Sequence, residues 1–167
     1  MELLNQPLAE KLKELAAIDS DMRTKFINGE GELDTSIDEA SQKQLMAVVN
    51  ENGWPRISQV GVNASNAAWL LVQHAPSLDF MERCLKLMED LPAGEVTPAN
   101  IAYLKDRVLT MKGKPQIYGT QFQVIGKDMA VYPVEDFEHV DERRASVGLG
   151  TFAENERRLR EQHKLSC

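Results

Sequence analysis

The sequence predicts a mainly α protein, a compact multi-helix single domain carrying one small β-hairpin in its C-terminal third. Three observations predict it. Apolar residues recur at spacings of three and four through the first two thirds of the chain. Helix-start and helix-stop residues stand between those stretches. One alternating stretch, after residue 120, breaks the helical period.

The elements follow in order. Residues 7–28 read as a helix through Leu8, Leu12, Leu15, Ile18 and Met22, with Pro7 in the first turn and Asn28-Gly29-Glu30-Gly31 as the stop. A second helix spans Thr35 to Asn50, with Ile37, Leu45, Val48 and Val49 apolar and Asp38 and Glu39 near the positive end of its dipole. The turn Glu51-Asn52-Gly53-Trp54-Pro55 ends it. A third helix covers Asn63 to Ala75 and is closed by Pro76.

Ser77 then caps a fourth helix, in which Leu78, Met81, Leu85 and Met88 form one apolar row and Phe80, Cys84, Leu87 and Leu91 another. Two rows make a wide stripe, so deep packing is expected there. Thr97-Pro98 opens a fifth helix, continued by Ile101, Leu104, Val108 and Met111 as far as Gly113. Gln121 to Ile125, the turn Gly126-Lys127-Asp128 and Met129 to Tyr132 read as the hairpin. Two short helices, 136–146 and a polar 151–163, finish the chain, about seven in all. No repeat or linker divides it, so a single domain over 1–167 is expected.

Composition narrows the function classes. With 19 basic and 26 acidic side chains the net charge is −7, the wrong sign for a nucleic-acid binder that must neutralise phosphates. Residues 1–50 hold ten acidic and five basic side chains, the pattern of a solvated helical face. Cys84 and Cys167 are too far apart for a disulfide framework or metal spacing; a buried thiol and a loose terminal one are expected. Met1 to Pro7 lacks the basic and apolar regions of a signal peptide, and no apolar run approaches the roughly 20 residues of a membrane span. A soluble protein of the reducing cytoplasm, making no membrane contact, is the expectation.

No Gly-rich phosphate loop, His pair at metal spacing, nucleophile elbow or paired-Cys cluster is present, so neither metal nor organic cofactor is expected. The histidines, His74, His139 and His163, are scattered. Two regions nonetheless carry more polar and aromatic residues than packing requires. One runs from Gly53-Trp54-Pro55 through Gly61 to Trp69-Leu70-Leu71-Val72-Gln73-His74; the other joins Tyr103-Leu104-Lys105-Asp106-Arg107 to Gln116-Ile117-Tyr118-Gly119-Thr120-Gln121.

Each residue admits two readings. His74 either hydrogen-bonds a carbonyl or caps its helix, or it transfers protons, imidazole being the side chain best placed for that near neutral pH. Trp69 and Gln73 share a helical face, with His74 about 100° away. Tyr103 and Arg107 stand four apart and can either join an ion-pair network or bind a carboxylate or phosphate. Gln116 to Gln121 is poor core material, so it is either a buried polar network or a binding segment, with Gly119 permitting close backbone approach. Arg143 and Arg144 are expected at the surface, though one of them could supply a second anion contact.

The Gly-Trp-Pro turn, the helix ending in Gln73-His74, the Asp106-Arg107 pair and Gln116-Ile117-Tyr118-Gly119-Thr120-Gln121 together resemble a family of small bacterial proteins described only as a domain of unknown function. The segment Asp141 to Leu149 is similar to that family's closing pattern, and the likeness covers roughly residues 40–150. It implies that these segments form one site and supplies no activity.

Two functions are therefore expected in competition. The first is a small enzyme using acid–base chemistry on a small polar or anionic substrate. His74, Asp106 and Tyr118 would be catalytic; Trp54, Gln73, Tyr103, Arg107, Gln116, Thr120 and Gln121 would bind substrate. His74 and the segment 116–121 would then approach within roughly 10 Å around a partly open pocket. The second is a non-catalytic binding or interaction module, of an accessory, regulatory or immunity type. Partner and oligomeric state are open in both.

Overall fold

A computed structural model describes residues 5–165, so Cys167 and the first four residues of the N-terminus lie outside the described part. The protein is mainly α, its described residues forming eight α-helices, one 3-10 turn and one two-stranded antiparallel sheet in the C-terminal third. The chain divides into two compact units, residues 1–100 and 101–167.

In the first unit α1 spans Gln6–Ile27, α2 Thr35–Asn52, α3 Ile57–Val60, α4 Val62–Gln73 and α5 Leu78–Glu89. The starts of α1, α2 and α5 are chemically marked. Asn5 Oδ1 accepts from Leu8 N, Asp34 Oδ1 from Ser36 N, and Ser77 Oγ from Phe80 N, satisfying backbone donors that have no partner inside the helix. The short α3, after Pro55, has no apolar period of its own and is the helix the sequence did not announce.

Helix α4 is the centre of this unit and packs against α1, α2, α3 and α5. It is buried nearly all round, through Ala64, Ser65, Ala67, Ala68, Leu71, Val72 and Gln73, as a helix surrounded by others must be. The three alanines let its neighbours come close. Helix α5 buries Phe80, Met81, Cys84, Leu85 and Met88, so the wide stripe is present. Burial pushes the Cys84 thiol up to about 12, which makes it an inert core group.

Helix α1 departs from its expected face at one position. Ile18 is 54% exposed, and Asp19 is buried in its place. Successive residues turn by about 100°, so the row Leu12, Leu15, Met22 continues through 19 rather than 18. An acid thus stands where the apolar period calls for a hydrophobe.

In the second unit, α6 (Pro98–Met111, begun at the end of the first) is followed by β1 (Phe122–Ile125) and β2 (Asp128–Val131), then the 3-10 turn (Phe137–His139), α7 (Val140–Ser146) and α8 (Phe152–Leu165). Ile125 pairs with Asp128 across the two-residue turn Gly126-Lys127, with Gly126 at φ 63°. A first turn residue with positive φ suits the right-handed twist of a hairpin, and glycine takes it at no steric cost. Phe152, at the start of α8, stacks on Phe122 of β1 and meets Phe137 edge-on, with ring centroids 5.8 and 5.0 Å away. No described helix is long and apolar enough to cross a membrane.

Candidate functional site

The first unit brings His74 to a buried carboxylate. His74 follows the last residue of α4, and its Nδ1 lies 2.9 Å from Asp19 Oδ2 on α1. Arg23, one turn on from Asp19, places its Nε 3.2 Å from Asp19 Oδ1 and 2.9 Å from the same His74 Nδ1. Nδ1 therefore stands between Arg23 Nε–H, which points at it, and the Asp19 carboxylate, and the same Nε–H also reaches Asp19 Oδ1. Arg23 Nη2 in turn donates to Asp38 Oδ1 of α2 at 2.6 Å.

Burial alone pushes the Asp19 carboxyl up, but the hydrogen bond and charge of His74, with those of Arg23, more than offset this and hold it below its ordinary value. The result is an imidazole fixed at one nitrogen, with Nε2 as the other. The His74 side chain is 22% exposed while Asp19 is 1% exposed. A buried carboxylate behind a partly exposed imidazole fixes the orientation of the ring.

Asp19, Arg23 and Asp38 were not among the residues expected at a site. Asp19 did leave a signal, an acid at a buried position of the α1 period; nothing in the sequence linked it to His74. The flanking residues of this segment are core. Trp54 is 2% exposed and Gln73 is 4% exposed, and neither Trp54 Nε1 nor Gln73 Oε1 has a hydrogen-bond partner among the described residues.

The second unit arranges its expected residues around another buried acid. Asp106 of α6 is fully buried. Its Oδ1 accepts from the amides of Ile117 (2.7 Å) and Tyr118 (3.1 Å). Its Oδ2 accepts from Thr120 N (3.0 Å) and Thr120 Oγ1 (2.9 Å). Gln116, also fully buried, reaches along the same loop: Nε2 donates to the carbonyls of Gln121 and Tyr132, and Oε1 accepts from Gln121 N. Gln121 Nε2 donates to Thr120 Oγ1 at 3.0 Å.

Gln116, Thr120, Gln121 and Asp106 thus form one buried network that ties the loop to α6 and to the strand ends. Gly119 sits inside it at φ 64°, where an added Cβ would meet the Phe152 ring at 2.8 Å. The loop contributes Tyr118 to the network only through its backbone: its N–H donates to Asp106 and its carbonyl accepts from Arg144.

Arg107 and Gln121 line a cavity of about 180 Å³ with Thr110, Met111, Phe122 and Tyr132. Tyr103 lines a different one, of about 470 Å³, with Arg144 and residues of α8. The expectation that Arg143 and Arg144 lie at the surface fails for Arg144, which is 2% exposed. The two arginines brace the loop from one side, Arg143 Nε donating to Ile117 O and Arg144 Nη1 to Tyr118 O. Carbonyls of a glycine-bearing loop need donors, and α7 supplies them. Among the described residues no three His, Cys, Asp or Glu side chains gather as a metal site.

The family model described as "Family of unknown function (DUF6624)" matches residues 25–167. No curated protein and no solved structure matches the chain. The matched region takes in Asp38, His74, Asp106, the 116–121 loop and Arg144, whereas Asp19 and Arg23 precede it. With most of its length so matched, the chain belongs to the DUF6624 family, a family of unknown function.

Proposed function

We propose that the protein is a small enzyme using acid–base chemistry on a small polar or anionic substrate, with His74 as the proton-transfer group. The observation that carries the reading is the Asp19–His74 pair. Nδ1 is committed to a buried carboxylate at 2.9 Å, and the ring is partly exposed. That is the arrangement in which Nε2 takes a proton from a substrate and returns it, while the carboxylate answers the charge that develops on the ring. Arg23 and Asp38 keep Asp19 in place and ionised. The reading rests on the first unit alone. A bacterial, cytoplasmic setting belongs to the same proposal.

A binding or interaction module is the second reading, and one observation favours it. The polar groups of Asp106, Gln116, Thr120 and Gln121 are taken up by bonds within the chain, so this segment braces a loop rather than offering free groups to a substrate.

The test is a screen of the purified protein for turnover of phosphoesters, carboxylic esters and amides, beside His74→Ala and His74→Asn. The expected result is turnover that both substitutions abolish, since neither side chain titrates near neutral pH, beside a modest and similar loss of stability in both as Asp19 gives up one partner. A structural His74 gives a different pattern. His74→Ala then costs about 1–3 kcal/mol, His74→Asn restores most of it, and any turnover survives in both.

A further inference from the structure

The 470 Å³ cavity of the second unit has a wall whose chemistry is unlike the rest of this acidic chain. Arg144 of α7 forms part of it and is 2% exposed. A buried charge is costly unless it is answered. The direct partners of Arg144 are neutral, its Nε donating to Gly150 O at 2.6 Å and Nη1 to Tyr118 O at 2.8 Å, and the carboxylates of Asp141 and Asp106 act on it from further off. Those bonds use two of the five N–H groups of a guanidinium.

Asn155, on the second turn of α8 and 7% exposed, lines the same cavity. Its Oδ1 accepts from Arg158 Nη2 at 2.9 Å, while its buried Nδ2 has no hydrogen-bond partner among the described residues. An unmet buried donor lowers stability, so its retention beside a buried guanidinium calls for an acceptor.

Charge completes the pattern. Arg157 and Arg158 are exposed at the cavity, and Glu154 and Glu161 also line it. Glu154 is engaged in capping α8, its Oε2 accepting from Thr151 N at 2.9 Å. Three guanidinium groups against two carboxylates leave the wall positive, although the chain carries −7 overall. The first turns of the 14-residue α8 add the positive end of its dipole. The volume is that of a small-molecule site rather than of a bare ion.

We propose that this cavity binds a small organic oxyanion, its carboxylate or phosphate group held by Arg144 and Asn155 Nδ2 with Arg157 and Arg158 at the entrance. The site is independent of His74.

Backbone amide NMR titration at fixed ionic strength tests it, with inorganic phosphate and succinate as separate probes. Saturable shifts confined to the neighbourhood of Tyr103 and to residues 144–161 are expected from at least one probe, and the tighter of the two identifies the head group. Arg157→Gln with Arg158→Gln should weaken binding about tenfold or more, the usual loss when charged hydrogen bonds go.

Arg144 also holds two carbonyls, so the decisive variant is Asn155→Leu. It should abolish binding while the melting temperature stays or rises, because an unmet donor has been removed. His74→Ala should bind as the unchanged protein does, which separates this proposal from the enzymatic one. No saturation by about 10 mM of either probe, too weak for a specific site, would overturn the proposal. Shifts mapping elsewhere, or affinity indifferent to both the arginine and Asn155 variants, would do the same.

Discussion

Asp19 and Asp106 are both buried aspartates on long helices, at 1% and 0% exposure, yet the two units satisfy them by opposite means. Around Asp106 the partners are backbone amides and one hydroxyl, all within fifteen residues of it in sequence. Around Asp19 they are ionisable side chains, Arg23 and His74, the second of them 55 residues away. Amides cannot titrate and cannot leave, so the Asp106 network fixes a loop shape. The His74 imidazole is reachable from solvent, so the Asp19 cluster is open to a bound molecule where the Asp106 network is not. A buried acid is therefore not a site in itself; the nature of its partners decides.

The largest expected effect that would break this contrast is at Asp106. Asp106→Ala leaves the amides of Ile117, Tyr118 and Thr120 without their acceptor and should cost about 4 kcal/mol, read from a urea midpoint. Asp106→Asn should rescue little, because one carboxylate oxygen becomes an NH₂ group facing backbone donors. A loss below about 1 kcal/mol for the alanine variant would show that the loop does not depend on the carboxylate.

Gly119→Ala sharpens the same point from the loop side. It combines a left-handed backbone angle with a Cβ 2.8 Å from Phe152 Cδ2 and should cost about 2–3 kcal/mol. At roughly 2–4 °C per kcal/mol, thermal melts would register a fall of several degrees. An unchanged midpoint would mean that the loop and Phe152 can yield.

The smallest effect is at Asp19 and depends on pH. Its folded-state pKa is held below the ordinary value, so the carboxylate stabilises the fold above the usual carboxylate pKa, near 3.9, and that contribution is lost as pH falls through the lower folded value. Asp19→Asn should therefore cost about 1 kcal/mol at pH 7, discounted for partly exposed partners. The gap between variant and unchanged protein should close as the pH is lowered from about 5 to 3. A gap independent of pH would mean that Asp19 is held by packing and not by its charged partners.

Much of the fold was legible because its signals are local. The cap Ser77, the first-turn Pro7, the breakers Pro76 and Gly113 and the apolar rows of α5 act within a few residues of themselves. The small hairpin could be read from alternation and from Gly126 for the same reason. Helix α3 was not legible, being four residues long with no period. Ile18 was misplaced because spacings of three and four both fit a helix, and only packing against α4 selects between positions 18 and 19. Within the site region, the glutamine-rich loop was recognisable as unusual, and the buried polar network weighed for it is what the structure shows.

The sequence by itself determined the class of the protein: mostly helical, acidic, with a polar loop after α6 and a histidine at the end of an apolar helix. Those properties follow from side-chain chemistry and from periodicity along the chain, which need no partner. The tertiary structure alone decided which acid His74 meets, that Asp106 is spent on backbone amides, and that Arg144 is buried beside a cavity instead of solvated. Such pairings bring together residues as far apart as 55 positions, and a hydrogen bond is set by ångström-scale distance and angle, which helix packing fixes and sequence spacing does not.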